Sequence, residues 1–164
     1  MFVQPDGFTI FRRPVAQCSD AVRGKRGIKE GVHAFDFIWH TPFGTSAAIG
    51  LSTKAQHLKC SGYLAFLGAS ENSWSWDIVE GYVQWAGDLK PYPTNPNSPP
   101  VQVGQRLRMI VDCDRQLVGF ERGTEFLGIA FKNLPRDVLV YPTISAVYGQ
   151  TEVSMYYMGP PVMG

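Results

Sequence analysis

Apolar and polar residues alternate most regularly between Arg106 and Phe131. In Arg106–Asp112, apolar Leu107, Met109 and Val111 alternate with polar Arg106, Arg108 and Asp112, the period of a strand with one buried face; Ile110 is the exception. Asp112–Gln116 (DCDRQ) reads as a polar turn. Val118 and Phe120 resume the alternation until Arg122-Gly123-Thr124 turns the chain, and Leu127, Ile129 and Phe131 carry it a third time. Three short alternating runs joined by tight turns predict an antiparallel meander with one face on a core and one in water.

The remaining pattern extends this picture. Phe8–Phe11 reads as a short strand followed by Arg12–Gln17 (RRPVAQ), where Pro14 offers no ladder N–H and predicts an edge or irregular path. Val22–Gly31 (VRGKRGIKEG) lacks the spacing of a phosphate-binding loop and precedes no helical pattern, so it reads as a turn. Ala34–Trp39 places Phe35, Phe37 and Trp39 on one face, and the loop Thr41–Thr45 leads to a more apolar strand, Ala47–Ser52. Strands at Tyr63–Leu67 and Trp74–Val79 are separated by the turn composition of Gly68–Asn72. Gly87–Pro100, with Pro91, Pro93, Pro96, Pro99 and Pro100, is the longest irregular segment. Val138–Tyr141 and Thr143–Val147 form one interrupted strand, and Glu152–Tyr157 ends the pattern with Val153, Met155 and Tyr157 on one face. About ten to twelve strands predict an all-β, antiparallel two-sheet β-sandwich.

Composition narrows the class. A chain of 164 residues with 45% hydrophobic residues fits one domain, and 17 glycines and 12 prolines with no sustained helical pattern favour turns and strands. A net charge of +1 gives no broad footprint for nucleic acid, and no apolar run is long enough to span a bilayer. Cys18, Cys60 and Cys113 are an odd number without metal-site spacing, and there is neither a glycosylation sequon nor a signal peptide. They read as reduced thiols of a cytoplasmic protein.

Candidate chemistry is sparse. His33, His40 and His57 are not spaced as metal ligands, and His33, at a strand start, is expected to make a structural hydrogen bond. Glu121 and Glu125 flank a hairpin turn; two carboxyls suit a glycosidase, but charged residues beside a turn are ordinarily solvated. Trp39, Trp74, Trp76 and Trp85 suit either a core or a sugar-stacking platform, and burial is the commoner fate of aromatics on one strand face. A carbohydrate-binding or glycoside-hydrolase sandwich stands as the alternative to a recognition domain, and a scaffold binding through its sheet edges or Pro-rich segment as a third reading.

Specific motifs then accumulate: Arg13-Pro14-Val15-Ala16-Gln17, Arg23-Gly24-Lys25, Gly31-Val32-His33-Ala34, Gly62-Tyr63, Ser73-Trp74-Ser75-Trp76-Asp77 and Tyr141–Val147 (YPTISAV). With the meander, these resemble the SPRY domain from about Phe8 to Pro160, in particular that of the SPRY/SOCS-box and F-box/SPRY adaptors. Ala48–Lys54, Phe120–Gly123 and Ala146–Gly149 resemble the F-box/SPRY versions, those of a synaptic ubiquitin-ligase adaptor.

The resemblance implies a bent, concanavalin-like sandwich whose loops at one end form a shallow peptide site. Carried over, that site comprises Arg12, Pro14, Ala16 and Gln17, then Gly44 and Thr45, then Tyr63 and Phe66, then Val147, Tyr148 and Gly149. Arg12, Gln17, Thr45 and glycine backbone groups can pair with peptide amides and carboxylates, while Tyr63, Phe66 and Tyr148 supply flat apolar area. Tyr148 stands where the SOCS-box relatives have Trp, Phe66 where they have Leu, and Ser75 where Gly is usual. The histidine and cysteine spacing predicts no metal site, and no cofactor is expected. The resemblance further implies a non-catalytic domain. It also implies an F-box upstream that joins the cullin core, a large RING-type ligase partner, substrates such as a synaptic kinase, and a cytoplasmic, synaptic location.

Overall fold

The computed structural model describes residues 2–3, 9–12, 18–24, 27–43, 46–55, 59–61, 71–95, 97–147 and 151–160; for strand residues 2–3, 9–12, 18–22, 46, 59–61, 147 and 151 it describes the backbone alone. Fourteen strands follow in chain order: β1 Phe2–Val3, β2 Thr9–Arg12, β3 Cys18–Arg23, β4 Val32–Trp39, β5 Ser46–Ser52, β6 Lys59–Ser61 and β7 Ser73–Asp77. Then come β8 Tyr82–Trp85, β9 Asp88–Pro91, β10 Arg106–Asp112, β11 Leu117–Arg122, β12 Glu125–Phe131, β13 Tyr141–Val147 and β14 Thr151–Gly159. A first sheet has the order β1-β2-β14-β4-β10-β11-β12, and a second the order β6-β3-β13-β5-β7-β8-β9. Every pairing is antiparallel. The described residues contain no helix, and therefore none long and apolar enough to cross a membrane.

Alternation explains why the sheets face each other. Phe35, Phe37 and Trp39 of β4, Leu107, Met109 and Val111 of β10, and Val118 and Phe120 of β11 are buried in one cluster with Ile49, Leu51, Trp74 and Trp76 of the opposite sheet. Removing this apolar area from water is the main force holding the layers together. The Trp76 ring lies 5.0 Å from that of Phe120 and 5.3 Å from that of Tyr92, joining β7 to the other layer. Val153 is buried, and Met155 and Tyr157 pack on the cluster as the predicted face of β14.

The meander matches the sequence reading, with β10 spanning Arg106–Asp112, but several elements do not. Strand β3 covers Cys18–Ala21, which the sequence reading left without an element, and continues into Val22 and Arg23, read as the start of a turn; it is paired with β13 and β6. Strand β9 lies inside the segment read as irregular from Gly87; all four of its residues are exposed, so it has no buried face to generate alternation. Strands β6 and β8, short and near the sheet edge, likewise lack a pattern. The expected break at Pro142 does not occur. Strand β3 ends at Arg23, which opposes Thr143, and the Pro142 carbonyl accepts the Gly24 N–H at 2.7 Å, so a ladder donor is not required there. The expected strand at Tyr63–Leu67 lies outside the described residues.

Candidate functional site

Strand registers set the strand ends that flank the four implied peptide-binding segments at one end of the sandwich. In the first sheet, Arg12 at the end of β2 opposes Thr151 at the start of β14, and Trp39 at the end of β4 opposes Val153. In the second, Cys18 opposes Ser61, Ser19 opposes Val147, and Val147 opposes Ser46. Segments 13–17, 40–45 and 148–150 each join a strand of one sheet to a strand of the other, so the two rows of strand ends belong to the same end of the fold. The segment following Ser61 leaves from that row as well. Of the implied residues, Arg12 and Val147 are placed by backbone alone, whereas Pro14, Ala16, Gln17, Gly44, Thr45, Tyr63, Phe66, Tyr148 and Gly149 lie outside the described residues.

The described side chains beneath this end form a fixed base. The His40 N–H donates to the Glu152 carbonyl at 2.8 Å, the Glu152 N–H donates to Thr41 Oγ1 at 2.9 Å, and His40 Nε2 lies 2.7 Å from Ser154 Oγ. Phe43 packs edge-on against Trp39 at 6.1 Å between centroids. Closing these bonds satisfies backbone groups where β4 and β14 separate, so the loop base is held by covalent neighbours and hydrogen bonds together.

The same end carries a further feature that periodicity missed. The Pro-rich segment from Tyr92 to Gln105 returns from β9 to β10, and the Gly104 N–H donates to the Trp39 carbonyl at 2.7 Å. Its first residue, Tyr92, is buried and bridges a β-bulge. Gly119 opposes Ile129 and Glu121 opposes Phe126, so Phe120 stands against two residues, Leu127 and Gly128. The Tyr92 hydroxyl donates to the Gly128 carbonyl at 2.8 Å and accepts the Phe120 N–H at 3.3 Å, satisfying both groups; burial raises its pKa. Further along, Arg122 is 6% exposed and donates to the Pro99 carbonyl and, at 3.1 Å, to Ser98 Oγ. The signal existed in the sequence: Arg122 continues the Val118–Phe120 phase and therefore points inward.

Elsewhere the geometry sorts the other candidates. His33 makes structural contacts, with Nδ1 2.8 Å from the Tyr157 hydroxyl and Nε2 2.7 Å from the Glu30 carbonyl. Glu125 is exposed, with Oε2 3.4 Å from Arg122 Nη2, and Glu121 is half-buried. Trp39, Trp74 and Trp76 are buried in the core; Trp85 is 43% exposed and stacks on Trp74, at 6.5 Å and 7° between planes, over a groove of about 530 Å³ that also includes Ile129, Asp88 and Lys132. Cys113 is a buried free thiol whose pKa is pushed up to about 11, first by burial and then by Asp114 and Asp112. Cys18 opposes Ser61 and Cys60 opposes Ser19, so the register does not set these two cysteines opposite each other. No group of three or more His, Cys, Asp or Glu among the described residues could hold a metal ion.

Two carboxylates are structural. Asp36, 3% exposed, receives a two-pronged bond from Arg108, with Nε at 2.7 Å and Nη2 at 3.1 Å, and this raises the Arg108 pKa. Asp77 Oδ1 accepts the N–H groups of Val79 and Glu80, both at 2.9 Å, at the turn into β8. Burial nonetheless raises the Asp77 pKa, and burial followed by the charge of Asp77 pushes Tyr82 up to about 12.

Comparison with known proteins agrees with this architecture. The SPRY domain profile matches residues 32–159. F-box/SPRY domain-containing protein 1 of Drosophila virilis is 51% identical over 165 residues, covering 100% of this chain and 65% of that protein. Its Drosophila grimshawi counterpart is 52% identical with the same coverage. The chain thus spans 65% of the length of these relatives. The SPRY domain of human HERC1 superposes with a TM-score of 0.74 at 13% identity, covering 96% of this chain and 92% of that one. The TRIM65 PSpry domain gives 0.62 at 15%, covering 83% and 68%. At such identities the likeness is one of fold.

Proposed function

The chain belongs to the SPRY domain family, and from that premise we propose that it is a non-catalytic recognition domain of a ubiquitin-ligase adaptor. It binds an extended peptide on the loops at one end of the sandwich. The observation that supports this reading is the strand register, which sets Arg12, Ser46, Ser61 and Val147, the described strand residues next to the four implied segments, at a common end of the two sheets. Loops presented by a rigid sandwich are a preformed site, which lowers the ordering cost of binding. In this reading Arg12, Gln17 and Thr45 pair with the peptide's polar groups and Tyr63, Phe66 and Tyr148 supply the apolar contact area.

The relatives' name couples this domain to an F-box. We infer that the whole protein joins a cullin core through that F-box, works with a large RING-type ligase, and recruits substrates such as a synaptic kinase in the cytoplasm of neurons. The test is an affinity capture from neuronal lysate, comparing the wild type with an Arg12→Ala, Tyr63→Ala, Tyr148→Ala triple variant shown to be folded by circular dichroism. A RING-type ligase retained by the wild type and lost by the variant supports both partner and site. Equal retention by the two proteins refutes the site, and retention of no ligase by either refutes the partner.

A further inference from the structure

The Pro-rich segment contains a chemical arrangement that the recognition reading does not use. Ser98 directly precedes Pro99, and Asn97, Pro99 and Pro100 around it are exposed while Ser98 is half-buried. Its Oγ accepts a hydrogen bond at 3.1 Å from Nη2 of Arg122, a guanidinium that is itself 6% exposed and is fixed on the other side by the Pro99 carbonyl. A cavity of about 260 Å³ adjoins this pair, lined by Ser98, Arg122, Asn95, Tyr92 and Trp76. The Trp76 Nε1–H has no acceptor among the described residues. A hydroxyl on an accessible loop, a proline after it, a buried cation in contact with its oxygen and space beside it are the requirements for accepting a phosphate in place.

We propose that Ser98 is a phosphorylation site for a proline-directed serine/threonine kinase, and that Arg122 is the built-in receptor for the phosphate. In the reaction, Ser98 Oγ forms a bond to the γ-phosphorus of ATP, the bond from that phosphorus to the bridging oxygen breaks and leaves with ADP, and the hydroxyl proton passes to the kinase's base. The product carries about −1.5 to −2 charges at neutral pH and three strong acceptor oxygens. Arg122 Nη2 already lies at hydrogen-bond distance from Oγ, so the phosphate reaches the guanidinium without movement of β11. Glu125 contacts the same nitrogen at 3.4 Å but is 61% exposed, so its carboxylate is free to turn into solvent when the phosphate arrives. The consequence is a Pro-rich loop clamped to β11 at the end of the sandwich that carries the recognition segments.

Thr41-Pro42 is the other Ser/Thr-Pro step in the chain and provides an internal contrast. Its hydroxyl accepts the backbone N–H of acidic Glu152 instead of a guanidinium.

The test incubates the intact chain with a purified proline-directed mitogen-activated kinase and ATP, locates phosphate by mass spectrometry, and follows hydrogen exchange at residues 94–100. A synthetic peptide of residues 92–102 serves as the control for kinase competence. The expected result is phosphate on Ser98, absent from Ser98→Ala and from Thr41, with exchange at 94–100 slowed about tenfold. Arg122→Lys keeps the charge but loses the fork, so phosphorylation protects the loop less in that variant. The proposal is overturned if the peptide is modified while Ser98 of the folded chain is not. It is equally overturned, with no variant needed, if Ser98 is modified and exchange at 94–100 is unchanged or faster.

Discussion

Replacing Tyr92 by Phe removes one oxygen and tests how the sandwich tolerates its β-bulge. The ring would keep its packing on Trp76 and Phe120, at 5.3 and 5.9 Å between centroids, so no large cavity is created. What is lost is the donor to the Gly128 carbonyl and the acceptor for the Phe120 N–H. Phe120 is fully buried, and leaving its N–H unpaired costs about 1–3 kcal/mol; the half-buried Gly128 carbonyl can recruit water, so its lost bond costs nearer ~1 kcal/mol. The sum is roughly 2–4 kcal/mol, a large fraction of the stability of a domain this size. With a urea slope of about 2 kcal/mol/M, the middle of the usual range, the unfolding midpoint followed by tryptophan fluorescence falls by about 1–2 M at an unchanged slope. The alkaline limb gives a second readout. Burial raises the Tyr92 pKa above 10.0, so the folded state holds more protons than the unfolded one in that window and stability falls as pH rises through it. Tyr92→Phe flattens that decline. A stability loss below about 0.5 kcal/mol would show that the hydroxyl does not repair the bulge and would refute the reasoning.

Three further outcomes follow from the same geometry. Gly50→Ala abolishes the folded state, a loss of more than about 4 kcal/mol seen as absent soluble protein or a lost circular-dichroism spectrum, because its Cβ would sit 1.9 Å from the Trp74 carbonyl oxygen and 2.9 Å from Ser75 Cα, both backbone of β7. Asp77→Asn keeps an oxygen for the Val79 and Glu80 N–H groups; since burial raises the Asp77 pKa above 3.8, wild-type stability falls as pH climbs above that value, and urea midpoints of the variant lack that decline. Cys113, with its thiol pushed up to about 11, resists iodoacetamide at neutral pH until the chain is unfolded, which peptide mass mapping reads directly.

Legibility in the sequence follows burial. The meander was readable because Leu107, Met109 and Val111 face the core while Arg106, Arg108 and Asp112 face outward, and that asymmetry is what alternation encodes. Ile110 broke the pattern because it lies half-buried on the outer face, between Ala34 and Gly119 of the neighbouring strands. Strand β9 was silent because an edge strand with both faces wet places no constraint on hydrophobicity, and β3 because its partners rather than its own residues define it. Arg122 was readable from its phase with Val118 and Phe120, yet the turn signal of Arg122-Gly123-Thr124 masked it. The role of Tyr92 had no local signal, since it depends on a register shift between β11 and β12 that is fixed only in the assembled sheet. The proposed recognition segments came from motif resemblance instead of periodicity, and the registers place only the strand ends that flank them, Arg12, Ser46, Ser61 and Val147, at one end.

Recognition at that end is most directly tested by hydrogen exchange on the chain alone and saturated with the protein it captures. Binding is predicted to protect residues 12–17, 44–45, 63–66 and 147–149 together, while leaving the exposed Trp85 face and the outer edge of β12 unchanged. Protection confined to β12 or to residues 92–100, with those four segments exchanging as freely as before, would contradict the account.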